Sequence, residues 1–194
     1  MVLRKQIILV FWSLSLAPTL SPALQAHGQS QESVNQHARA LRDFEHRIAE
    51  YLKLRKTAEA GMPKLRSTDS PATITQHEHD LARRIREARQ QAKQGDIFTS
   101  AITLEFRRLI GITMQGPEAA QIKQSLKSAE PVKLPISVND TYPSRVPLQS
   151  TPPTLLLNLP ALPPEVEYRV VAHDLLLRDV GADLIVDFIT TAIP

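Results

Sequence analysis

The chain has no cysteine. That excludes disulfides, thiolate metal sites, a cysteine nucleophile and cysteine-held iron–sulfur clusters. Aromatic residues fill only 5% of the 194 positions, so a core must rest on Leu, Ile, Val and Ala. Glycine is scarce as well, at six residues against fifteen prolines. The sequence contains no glycine-rich phosphate loop, no HExxH and no Gly-x-Ser-x-Gly. Each of those patterns places a catalytic group by backbone geometry, and none is available here. What remains is 42% apolar and 22% charged, an ordinary globular balance that argues against wholesale disorder.

The one concentrated apolar run comes early. Arg4 and Lys5 precede Ile7–Leu16, which is almost wholly apolar; Pro18 and Pro22 then break the run, and small residues lead to Ala26. This is the charged, apolar and cleavage-region layout of a secretory signal peptide. The run is about half of the roughly 20 residues that a spanning helix needs. Residues 1–28 are therefore expected to be removed, with cleavage after Ala23, Ala26 or Gly28. The mature chain is expected in the periplasm or outside the cell, with no transmembrane segment and no cysteine for a lipid anchor. Removal takes Arg4, Lys5 and the single tryptophan, Trp12, leaving 21 basic against 20 acidic residues. The whole-chain pI near 9.3 thus gives no support to a nucleic-acid partner.

Composition then divides the chain near Pro131. Residues 29–130 hold 17 basic and 13 acidic residues, and residues 131–194 hold 4 and 7. Nine of the fifteen prolines fall between Pro131 and Pro164. The expected plan is a signal peptide over 1–28, a helical region over 29–130, a proline-rich extended segment over 131–164 and a β-meander over 165–194. The fold class is α+β.

Helix one is expected from Ser33 to Ala60, with Ser33 and Gln36 as a capping box and Gly61 and Pro63 as the stop. Val34, Leu41 and Ile48 recur every seven residues, and Phe44, Tyr51 and Ala58 form the second seam, a heptad-like stripe. Ser70-Pro71 starts a second helix that presents Ile74, Leu81, Ile85, Ala88 and Ala92 and ends at Gly95. Thr99 caps a third, with Ile102, Phe106, Leu109 and Ile110 inward and Gly111 as its end. A fourth starts at Gly116-Pro117, shows Ile122 and Leu126, and stops at Pro131. Helices one and two are expected to form an antiparallel hairpin, although the stripe equally suits a dimer.

Val132, Leu134, Ile136 and Val138 alternate and suggest an edge strand. Residues 139–164 read as extended and outside the core, with Leu155–Leu157 as a run able to dock on a neighbour. The last thirty residues read as three strands. Val166, Tyr168 and Val170 alternate in the first, Leu175–Leu177 lie in the second, and Leu184, Val186 and Phe188 alternate in the third. Asp174 and Gly181 are suited to the left-handed turn positions.

His77-Glu78-His79-Asp80 is the most site-like cluster. Helical metal ligands need a spacing of three or four, so His77 and Asp80 can share a face whereas His77 and His79 cannot. His37 or His46 would join them if the hairpin register allows. The plainer reading is a hydrated polar stretch near a helix start. Arg83–Arg89 and Arg107-Arg108 are interspersed with acids and read as a solvated helix face. Asp174, Asp179, Asp183 and Asp187 have carboxylates suited to acid–base work or a hard cation, but they fall at expected turns and on the polar alternation.

The stretch Leu162–Ile189, LPPEVEYRVVAHDLLLRDVGADLIVDFI, followed by Ala192-Ile193-Pro194, resembles the tails of uncharacterised exported bacterial proteins with a helical N-terminal part. The last thirty residues are also similar to the small periplasmic RcnB-type domain, which is associated with nickel and cobalt homeostasis. That resemblance implies a β-meander and a periplasmic setting, and it maps no metal ligand onto this chain. The function expected is non-catalytic binding or scaffolding in the cell envelope, with an envelope protein or a second copy bound through helix one. Metal or small-ligand handling is the first alternative and an unrecognised hydrolase the second. No cofactor is called for.

Overall fold

In the computed structural model, residues 22–65, 70–128, 135–142 and 151–194 are described, with the backbone alone described over 22–33 and at 128. The expected signal peptide up to residue 21, Val132–Leu134 and residues 143–150 lie outside them.

Local signals set most helix ends. Ser70 accepts the Thr73 N–H at 3.4 Å and Pro71 fills the first turn of α2 (Pro71–Ala88). Thr99 accepts the Ile102 N–H at 3.5 Å and starts α3 (Ser100–Thr113). Helix α1 (Pro22–Ala60) ends where Gly61 was expected to end it, but its backbone is helical upstream of Ser33. Helix α4 spans Ala119–Ser128. Two C-terminal ends also differ from expectation. Helix α2 stops at Ala88, well before Gly95, because Arg89 leaves helical geometry at φ −131° and turns its side chain to the Val186 carbonyl. Helix α3 runs through Gly111, which leaves its hydrogen bonds intact.

The sheet is a meander of β1 (Val166–Val171), β2 (Asp174–Asp179) and β3 (Leu184–Ile189), antiparallel in the order β1-β2-β3. Tyr168 pairs with Leu177, and Leu177 with Asp187; the next β2 residue, Arg178, pairs with Ile185. Val186 is the extra residue of a β-bulge. The bulge turns Asp187 to the same face as Leu177, so Val186 and Asp187 both point into the core. The left-handed turn residues are Ala172 (φ 53°) and Asp183 (φ 49°), not Asp174 or Gly181.

The proline-rich segment is more engaged than expected. Asn139–Tyr142 runs along the outer edge of β3: Asn139 N–H donates to the Ile185 carbonyl at 2.9 Å, and Tyr142 N–H to that of Asp183 at 2.8 Å. Within the described part of the expected edge strand, residues 135–138, no strand forms, and the pairing with β3 begins at Asn139. A four-residue helix, α5 (Pro153–Leu156), then buries Leu155 completely, so this part of 139–164 is core.

From Gln36 to Pro194 the chain forms one compact unit. Its main core joins Phe44, Ile48 and Tyr51 of α1 with Leu81 and Ile85 of α2, Ile102, Phe106 and Ile110 of α3, and Ile122 of α4. The inner sheet face, with Tyr168, Leu177 and Val186, closes it. Phe44 lies at its centre, 4.8 Å from Phe106 and 5.7 Å from Phe98 between ring centroids. The stripe of α1 from Phe44 to Ala58 is therefore covered by the chain's own sheet and helices. A second cluster of Tyr142, Val171, Leu176, Ile185 and Phe188 covers the outer sheet face. Helices α1 and α2 run antiparallel, with Tyr51 against Arg89 and the Gly61 carbonyl against Arg84. Among the described residues no helix is long and apolar enough to cross a membrane.

Candidate functional site

The four carboxylates of the meander do not converge. Asp187 is wholly buried and accepts four backbone N–H bonds. Its Oδ1 takes those of Gly95 (3.0 Å) and Phe188 (2.8 Å), and its Oδ2 takes those of Ile97 and Phe98 (2.8 Å each). It organises the loop between α2 and α3. Asp179 is also wholly buried and accepts from the Tyr51 hydroxyl and Arg55 Nε at 2.8 Å each and from the Ala182 N–H at 2.8 Å. Burial and the Asp179 charge push the Tyr51 phenol far above its ordinary range. Burial works against the charge of Arg55, but Asp179 and Glu59 outweigh it and raise its pKa. Asp183 pairs with Arg178, and Asp174 accepts the Thr191 N–H. Asp179 and Asp187 were expected on a polar face. The bulge and the α1 contact place them in the core, and a lone Asp inside Leu-Ile-Val-Asp-Phe-Ile was the available signal.

His77 and Asp80 line one depression at the α1–α2 turn, together with Met62, Thr73 and Arg83; His79 is exposed and does not line it. Asp80 accepts from Gln76 at 3.1 Å and lies 3.5 Å from Arg83. The Gln76 bond and then Arg83 hold its carboxyl below the usual range. The two histidines expected to join them stand elsewhere. His37 Nδ1 is 2.5 Å from the buried Glu105, and His46 lines a different groove. No three His, Asp or Glu side chains among the described residues are grouped to hold a metal.

The arginines were read as one solvated face, and that description fits Arg83, which pairs with Glu87 and Asp80 in solvent. It does not fit Arg86 and Arg89. Arg86 donates to the Asn139 carbonyl and the Thr141 hydroxyl, at 2.7 Å each, and Arg89 donates to the Val186 carbonyl at 3.0 Å. Arg107 likewise reaches the Thr190 carbonyl at 2.8 Å. Sequence reasoning missed these ties because an arginine's partner across the fold leaves no local pattern.

A groove of about 800 Å³ lies between α1 and the end of α2, similar in volume to the depression of about 820 Å³ at the α1–α2 turn. Tyr51, Leu54, Ala58 and Ile97 give it apolar walls. Asp43, Glu50 and Lys53 give it a charged rim, with His46 beside them. The α1 contributors follow the helical period, so one side of the helix forms a continuous wall next to its buried stripe. Arg47 stiffens the far end, bonding Asp43 at 3.0 Å and the Asp96 carbonyl at 2.7 Å. Arg89 completes the lining, its guanidinium carbon 5.3 Å from the centre of the Tyr51 ring. No family model, curated protein or solved structure matches the chain.

Proposed function

We propose that this chain is an exported, non-catalytic binding protein of the cell envelope that takes its ligand in the groove beside α1. The observation that carries this reading is the groove itself: about 800 Å³, apolar inside and charged at the rim. That volume lies within the roughly 300–1,000 Å³ of small-molecule sites. Its walls are held in place by bonds that do not involve a ligand, from Arg47 to Asp96 and from Tyr51 and Arg55 to Asp179. A preformed wall reduces the ordering cost of binding. The α1 stripe from Phe44 to Ala58 is occupied by the chain's own core, and the groove flanking it is open to a partner. The envelope setting rests on the layout of residues 1–28.

Two experiments test the proposal. Expression in a bacterial host should yield a periplasmic product that begins after Ala23, Ala26 or Gly28, by mass spectrometry; a full-length product confined to the cytoplasm would overturn export. A ligand-observed NMR screen should find binders that are lost in Thr57→Trp, which fills the groove from an exposed lining position. Binders that ignore Thr57→Trp would place the site elsewhere. Turnover of a generic ester, peptide or glycoside substrate would overturn the non-catalytic reading.

A further inference from the structure

Resting on the groove reading, we infer that the ligand is a small organic anion whose carboxylate pairs with Arg89 while its apolar body lies on Leu54, Ala58 and Ile97. The inference starts from a cation with no direct ion-pair partner. Arg89 is half-buried, and no carboxylate among the described residues lies within ion-pair distance of it. Arg55 and Arg178 are also largely covered, and each faces a carboxylate: Asp179 for the first, Glu167 and Asp183 for the second. Arg89 has instead one carbonyl, of Val186, and the face of Tyr51. Its Nη1 is buried without a hydrogen-bond partner.

The acids nearest in the fold are committed elsewhere. Asp187 is saturated by four backbone N–H groups, and Asp96 accepts the Lys93 N–H. Those two carboxylates act on Arg89 only from beyond ion-pair distance. A partly covered cation without a direct partner is costly, and an anion arriving in the groove offsets part of that cost. Burial already pulls the Arg89 pKa below its ordinary value, which is the same imbalance seen from the proton's side. The groove supplies the rest of the selectivity. Its apolar wall favours a hydrocarbon body over inorganic phosphate, and Glu50 on the rim disfavours a polyanion.

The test compares 4-phenylbutyrate with its neutral amide by titration calorimetry on the purified protein. The acid should bind about tenfold or more tighter than the amide, the difference expected of a charge-assisted pair. Arg89→Met should abolish the preference, and Thr57→Trp should abolish binding of both. Arg89 also holds Val186, so this variant is checked for folding by circular dichroism. Whether or not it folds, the wild-type Arg89 Nε–H signal should shift as 4-phenylbutyrate is added. Equal binding of acid and amide, both lost in Thr57→Trp, would overturn the anion inference and leave the groove reading standing. Binding of the acid that neither moves the Arg89 signal nor responds to Thr57→Trp would overturn both. Absence of saturable binding by either probe at millimolar concentration would overturn the inference, and the NMR screen would then decide the groove.

Discussion

Asp187 shows how much structure one buried carboxylate can specify. A carboxylate can accept at both oxygens, and here each oxygen serves two N–H groups. Asparagine offers one accepting oxygen and one donating amide, so either orientation turns an NH₂ toward two backbone donors. Asp187→Ala should cost about 3 kcal/mol, and Asp187→Asn should recover little of it, because buried donors are left unmade. The check is a shift in the urea midpoint at unchanged slope; a loss below about 1 kcal/mol for both variants would show that the loop has other support. Glu105 makes a pH prediction. The Arg108 hydrogen bond at 2.6 Å, opposed by burial and helped by the Arg108 and His37 charges, holds its carboxyl below the ordinary value. A depressed folded-state pKa means that the stabilisation is complete above the unfolded-state value and is lost as pH falls through the folded one. Thermal stability should therefore decline below about pH 4, and Glu105→Gln should be less stable at neutral pH but flatter across the acid range. Parallel acid slopes for the two proteins would assign the decline to other carboxylates.

At the scale of the element, the meander places its backbone strain where the residue type does not suit it. Ala172 turns β1 into β2 at φ 53°, a region in which a Cβ is crowded. Ala172→Gly should raise stability by about 0.5–1 kcal/mol, relief in the folded state exceeding the added freedom of the unfolded chain; a lower melting temperature would contradict this. Gly181 is the opposite case. A Cβ there would lie 2.7 Å from Arg55 Nη2, and Arg55 is tied to Asp179. Gly181→Ala should move that guanidinium and destabilise the protein by about 1 kcal/mol or more, measurable by the same unfolding experiment. These elements also show what was legible beforehand. The caps at Ser70 and Thr99, the inward face of α3 and the three-strand meander were readable because each depends on neighbours within a few residues. The bulge at Val186 was not, because Leu-Ile-Val-Asp-Phe-Ile alternates equally well without it. Of the candidate groove, the α1 wall follows the visible helical period. The role of Arg89 depends on a tertiary approach to Tyr51 and Val186 that no local spacing records.

At the scale of the molecule, the two charge regimes of the sequence suggest attraction between a basic helical half and an acidic tail half. The structure joins them mostly by another means. Arg86, Arg89 and Arg107 reach from the helices to the Asn139, Val186 and Thr190 carbonyls, and among the described residues only Arg55 meets a buried acid of the sheet, Asp179. Bonds to neutral carbonyls carry part of the strength of a charged donor without long-range attraction, so they resist screening by salt. The Arg55–Asp179 pair is covered and is screened little as well. The exposed pairs that salt does weaken, such as Arg83 with Glu87 and Asp80, contribute about 0–1 kcal/mol each. Raising sodium chloride from about 0.05 to about 0.5 M should therefore move the melting temperature by no more than about 2–4 °C. A fall of about 10 °C or more would mean that net charge, not directed bonding, holds the halves together. The arginine surplus of the helical half then has a structural account: it supplies donors for backbone acceptors of a tail that has few cations of its own.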